Sequence, residues 1–124
     1  MKIKHLSAKL ENCRIERALF SDETFIKRVL DEIVDKLKMT FIDKLSFRFN
    51  PHGLSMLYLI AESHIAIHTW PEHKLVDIEI VTCKQESDVM EGLKVATTHF
   101  NPEKVETNYW EYTYEENNFY ETSL

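Results

Sequence analysis

Ser63, His68 and Cys83 are the residues of this chain best suited to nucleophilic or proton-transfer chemistry. A serine hydroxyl or a cysteine thiol becomes a nucleophile when a neighbouring imidazole takes its proton. The three fall on adjacent predicted strands, so a Ser–His or Cys–His pair is possible. Taken singly, each has a plainer reading: a strand cysteine is a small buried hydrophobe, and a strand histidine a hydrogen-bonded core residue. Asp77 and Glu79 share the predicted strand face of Cys83, and alone they read as a solvated face. Six histidines and two cysteines also invite a metal. His64 and His68 are four apart, a zinc-binding spacing on a helix; on a strand it separates them by about 13 Å. With no C-x-x-C pair either, no metal site is expected.

The oddest stretch is Glu62-Ser63. Residues 54–61 and Ile65-Ala66-Ile67 are apolar runs broken only by Glu62-Ser63-His64. A tight hairpin wants Asn-Gly, Asp-Gly or another glycine pair, because its central residues need positive φ. Glu-Ser supplies none of that. The plain reading is a longer loop; the alternative is that something other than turn chemistry selects this dipeptide.

The elements that must position these residues follow from periodicity. Residues 2–10 form a weakly alternating strand, which Glu11-Asn12-Cys13 leaves. Residues 22–38 form a helix: Phe25, Val29, Ile33 and Leu37 recur every four residues, and Ile26, Leu30 and Val34 widen the stripe. Ser21 or Asp22 caps its start. The period drops to two over 45–49, where Leu45, Phe47 and Phe49 alternate with Ser46 and Arg48 in a half-buried strand. Asn50-Pro51-His52-Gly53 has the residue order of a type I turn. The strand 54–61 is apolar on both faces except at Ser55, so both faces must be covered. Strands follow at 64–69, stopped by Pro71, and at 75–83. A second helix spans 87–100, with Val89, Leu93, Ala96 and Phe100 inward, and a last strand spans 104–112. The order β-α-β-β-β-β-α-β predicts an α+β fold, a two-layer sandwich of a largely antiparallel sheet with two helices on one face. The other face, carrying Leu57 and Leu59, predicts a dimer packed sheet to sheet as α/β/β/α.

At 124 residues the chain is expected to be one domain, with a polar tail after about Tyr114. A net charge of −6 argues against nucleic acid and anionic membranes as partners. No apolar run approaches the ~20 residues that span a bilayer, and the first residues lack a signal peptide's apolar core. Two cysteines in this setting suggest the cytoplasm and free thiols. Gly53 and Gly92 are the only glycines, too few for the common phosphate-binding loops.

The run Glu62-Ser63-His64-Ile65-Ala66-Ile67-His68-Thr69-Trp70-Pro71-Glu72, followed by Thr82-Cys83, resembles the small prokaryotic type of S-adenosylmethionine decarboxylase, a pyruvoyl-dependent family. Lys4-His5-Leu6 with Cys13, and Phe49…Pro51-His52-Gly53…Ser55, belong to the same likeness, which runs from residue 4 to about 100. The resemblance implies that the chain cuts itself between Glu62 and Ser63, into a β chain of residues 1–62 and an α chain of 63–124. The Ser63 hydroxyl would attack the preceding carbonyl, and the resulting ester would eliminate to dehydroalanine and hydrolyse to a pyruvoyl group. His68 matches the residue that moves the proton in processing, and Ser55 a second processing residue. The pyruvoyl would form a Schiff base with the substrate amine, and Cys83 matches the proton donor after loss of CO₂. Phe49 matches an aromatic that stacks on adenine, and Glu72 a carboxylate that holds the ribose hydroxyls. The implied substrate is S-adenosylmethionine, for spermidine synthesis, and the implied assembly is a homodimer with two α and two β chains and shared active sites.

Several positions depart from the pattern. Ile3, Lys74 and Lys84 stand where the family commonly has glycine, Glu79-Ile80-Val81 replaces Asp-x-Phe, and the Arg-Gly usual near the end is missing. Lys84 matters most, since an ammonium close to Cys83 would favour the thiolate, a worse acid. Two alternatives stay open: the same chemistry on arginine or ornithine, and an unprocessed regulatory homologue.

Overall fold

Six alternating segments pair into one sheet, and the two segments of helical period bury their stripes on one of its faces. The computed structural model describes residues 1–115; the tail beyond lies outside the described residues. The strands are β1 (Lys2–Cys13), β2 (Phe41–Arg48), β3 (Leu54–Ile60), β4 (Ser63–Trp70), β5 (Leu75–Thr82) and β6 (Pro102–Thr113). The helices are α1 (Glu23–Lys36) and α2 (Val89–Phe100), with short 3-10 turns at Arg17–Ser21 and Pro71–His73 that the periodicity does not signal. The sheet order is β2-β3-β4-β5-β1-β6, and every neighbouring pair is antiparallel. The expected α+β two-layer architecture is therefore the one observed.

The core lies between the sheet and the helices. Leu6, Leu10, Met56, Tyr58, Ile65, Ile67, Ile78 and Ile80 meet Ile26, Leu30, Ile33 and Phe100, all fully buried. Each such side chain contributes roughly 1.5–3 kcal/mol of apolar burial. Asp22 caps α1 by accepting from the Phe25 N–H at 3.1 Å, and Asp88 caps α2 by accepting from Met90 N–H at 3.0 Å. These caps satisfy helix-end donors that would otherwise lack partners.

Four local expectations change. The hairpin between β3 and β4 turns on Ala61-Glu62, because Ile60 pairs with Ser63; the turn sits one residue earlier than Glu62-Ser63. Glu62 takes the left-handed conformation at φ +60°, so the positive φ falls on a non-glycine residue. Between β2 and β3 the Asn50–Pro51 peptide is cis, and the Gly53 N–H donates to Ser21 Oγ at 2.8 Å rather than closing a type I turn. β1 continues through Glu11 to Cys13, with Asn12 absorbing a positive φ of 50°; burial of the Cys13 side chain and the bond from its N–H to the Lys74 carbonyl hold it in place.

The fourth change concerns β2. Leu45 and Phe47 pair with Leu57 and Ser55, on the face away from the helices. They are 71% and 64% exposed, not half-buried. The inward side of β2 carries Lys44, Ser46 and Arg48 instead, which meet the start of α1: Ser46 Oγ donates to the Glu23 carboxylate and Arg48 to the Ser21 carbonyl. The uncovered face thus presents Leu45, Phe47, Leu57 and Leu59 together.

Candidate active site

The β3–β4 turn sets Glu62 beside the end of β5, because Ser63 starts β4 and His64 pairs with Val81. Cys83, one residue past β5, reaches across. Its Sγ lies 3.3 Å from the Glu62 main-chain carbonyl oxygen and 3.6 Å from Glu62 Oε2. A cleft of about 200 Å³ opens here, lined among others by Thr40, Glu62, Ser63, Thr82, Cys83 and Lys84. Burial, followed by the Glu62 side chain, pushes the Cys83 thiol up from its ordinary value, while the Ser63 hydroxyl pulls it down. The expectation that Lys84 would favour the thiolate is not met. Its ammonium donates to the Lys38 carbonyl, and the thiol is shifted the opposite way. The carbonyls of Lys84, Gln85 and Ser87, just beyond Cys83, all accept from Lys4 Nζ.

A second group sits farther along the same strands. Ser55 of β3 and Asp77 of β5 are the register partners of His68 on β4. Ser55 Oγ and His68 Nδ1 share a hydrogen bond of 2.6 Å. Asp77 is half-buried beside them. Burial raises its carboxyl above the usual range, Glu79 adds to that and His68 opposes it. Asp77 is therefore not merely part of a solvated face. Its neighbour Glu79 pairs with His64 at 2.9 Å, so His64 and His68 have separate partners.

A third group closes the far end. The loop carrying Phe49 and His52 packs on the Thr69–Pro71 segment through Gly53, where a Cβ would come within 2.8 Å of the Thr69 oxygen. His52 Nε2 lies 3.5 Å from Glu72 Oε1 and 3.5 Å from Arg17 Nη2. Phe49 is half-exposed against the edge of Phe47, ring centres 5.2 Å apart.

The structure thus brings Glu62, Ser63 and Cys83 together, Ser55 with His68, and Glu72 with His52 of the loop that carries Phe49. It does not bring His68 to Ser63 or Cys83 within one chain. Five residues of extended strand separate His68 from Ser63, roughly 16 Å. Lys4, His52 and Asp77 stand beside these groups as further candidates. Two of them stand in the motifs quoted above, but their partners depend on strand register, which residue types do not reveal.

A family model described as S-adenosylmethionine decarboxylase matches residues 4–111. The S-adenosylmethionine decarboxylase proenzyme of Archaeoglobus fulgidus is 39% identical over 100 residues, 81% of this chain and 88% of that protein. An arginine decarboxylase proenzyme of Pyrobaculum arsenaticum is 30% identical over 114 residues, 90% of this chain and 84% of that protein. The crystal structure of the adenosylmethionine decarboxylase from Aquifex aeolicus superposes with a TM-score of 0.81 at 29% identity, over 92% of this chain and 93% of that one. Sequence, fold and near-complete coverage agree, and the chain belongs to the S-adenosylmethionine decarboxylase family.

Proposed function

We propose that this protein is a self-cleaving, pyruvoyl-dependent decarboxylase whose substrate is S-adenosylmethionine, yielding an aminopropyl donor for spermidine synthesis in the cytoplasm. One observation carries the reading: the Cys83 thiol faces the carbonyl of Glu62, a residue in left-handed backbone, at the bond to Ser63. In the cut, Ser63 Oγ bonds to the Glu62 carbonyl carbon and the amide C–N bond breaks, leaving an ester and a free amine. Negative charge develops on the Glu62 oxygen, where the Cys83 S–H donates. Loss of the Ser63 Cα proton then expels the Glu62 carboxylate together with the former serine oxygen. Water replaces the nitrogen, ammonia leaves, and residue 63 becomes pyruvoyl.

The cleft at Ser63 fits that small group. Its ketone supplies an electron sink for decarboxylation of an amino acid bound through its amine. Cys83 then returns a proton to the former α-carbon. Phe49 offers a half-exposed ring for a purine, and Glu72 a carboxylate for ribose hydroxyls. The relative named an arginine decarboxylase proenzyme supports a second substrate reading, but neither Phe49 nor Glu72 is needed for that smaller substrate.

His68, Ser55 and Asp77 serve Ser63 from a second copy. The separation of about 16 Å within one chain supports this arrangement, as does the exposed apolar face on β2 and β3. The working unit is therefore a homodimer of processed protomers. Denaturing mass spectrometry tests the reading. Two fragments split after Glu62, the second starting with a pyruvoyl mass, are expected from the wild type and a single chain from Ser63→Ala. An intact wild-type chain after long incubation defeats it. CO₂ release from S-adenosylmethionine against arginine decides the substrate.

A further inference from the structure

Cys83 faces a group whose chemical identity changes when the chain is cut. Before cleavage its Sγ meets the neutral Glu62 carbonyl at 3.3 Å and the Glu62 side-chain oxygen at 3.6 Å, with the Ser63 hydroxyl acting on the same thiol. During cleavage the Ser63 oxygen transfers to the Glu62 carbonyl carbon and departs with it. The neutral carbonyl becomes a carboxylate, and the hydroxyl beside the thiol is consumed. Both changes act in one direction. A carboxylate accepts the S–H bond more strongly and opposes a thiolate, and the donor that steadied a thiolate is gone.

We propose that Glu62 is the positioning residue for the proton donor: its side-chain carboxylate, joined by the terminal carboxylate that cleavage frees, holds the proton on Cys83 until the former α-carbon takes it. The inference rests on the self-cleaving decarboxylase reading. Three other titratable groups around this end are engaged elsewhere. Lys84 Nζ is bound to the Lys38 carbonyl. Lys4 of β1 is held by the carbonyls of Lys84, Gln85 and Ser87. His64 of β4 is paired with Glu79. Lys38 lines the cleft from the α1–β2 link. Among the described residues, Glu62 is the charged side chain in hydrogen-bond contact with the Cys83 thiol.

The test is the pH dependence of alkylation by iodoacetamide, located by peptide mass spectrometry. Cys13 is fully buried, so Cys83 is the thiol that responds. Three full-length proteins are compared: Ser63→Ala, which keeps the bond and lacks the hydroxyl; Ser63→Ala with Glu62→Gln; and the processed wild type. The midpoint for thiolate formation is expected to fall by roughly 0.7 pH unit on Glu62→Gln and to lie highest in the processed wild type. One common midpoint in all three proteins overturns the proposal. In processed Glu62→Gln the alkaline fall-off of decarboxylation moves down by a similar amount; an unmoved fall-off also overturns it. A wild-type chain that stays uncut defeats the self-cleavage reading alone, since the two Ser63→Ala proteins still report on the Glu62–Cys83 contact.

Discussion

At the scale of single residues, the proposed function gives Cys83 two tasks that the motif does not separate. Its position past Thr82 marks it as a proton donor by resemblance, but only the structure places its sulfur on the Glu62 carbonyl. Cys83→Ala is therefore expected to cut itself about tenfold more slowly, a thiol being a weaker donor than the amides whose loss costs more. Decarboxylation should disappear entirely; time courses by mass spectrometry and CO₂ release check the two effects. Cys13 behaves differently. Burial pushes its thiol from 9.0 to about 11, so the folded chain keeps this proton after the unfolded chain has lost it. Its contribution is complete below about pH 9 and is lost as pH rises through 11, about 3 kcal/mol in all. Tyr58, pushed up by burial and by Asp31, adds to the same alkaline fall. Urea unfolding between pH 8 and 11 should show a shallower loss for Cys13→Ala than for the wild type.

At the scale of elements, period and type were readable and facing was not. The helical stripe of α1 predicted its buried residues well, because one period admits one buried side. β2 obeyed its period yet faced the other way. Sheet order puts it at an edge beside the start of α1, where Glu23 and the Ser21 carbonyl draw its polar side inward. The turns were least legible, since their geometry rests on distant partners such as Ser21 Oγ for the Gly53 N–H. Gly53 shows how tightly that loop is built. It has φ +98°, and a Cβ would meet the Thr69 oxygen at 2.8 Å. Gly53→Ala should destabilise the protein by about 1–3 kcal/mol, read as a lower urea midpoint at constant m-value. It should also weaken substrate binding, because the same loop carries Phe49.

At the scale of the whole molecule, the proposed dimer rests on the open face. Leu45 and Phe47 stand out on β2, and none of the described residues covers them. Phe47→Asp is expected to convert a dimer into monomers on sedimentation velocity and to stop self-cleavage with it. A dimer of unchanged mass would move the interface elsewhere. Shared sites make a sharper prediction. Neither Ser63→Ala nor His68→Ala should cut itself efficiently alone. Mixed dimers of the two restore one site, built from Ser63 of one chain and His68 of the other, so the His68→Ala chain should then be cut. The sequence pointed to pairing through its apolar alternation. The distance between Ser63 and His68 came only from knowing that both lie on one strand.

The sheet order has a further consequence. Strands β1, β2 and β3 precede residue 63, and β4, β5 and β6 follow it, yet β1 lies between β5 and β6. A cut after Glu62 therefore yields two polypeptides braided through one sheet, with no seam along which they could part. The fragments should stay together through dilution and chromatography under native conditions. Once unfolded, they must find each other again. Refolding of each processed protomer becomes a bimolecular event, slower at lower concentration, whereas each uncut Ser63→Ala protomer forms the same sheet from a single chain before it pairs with a second copy.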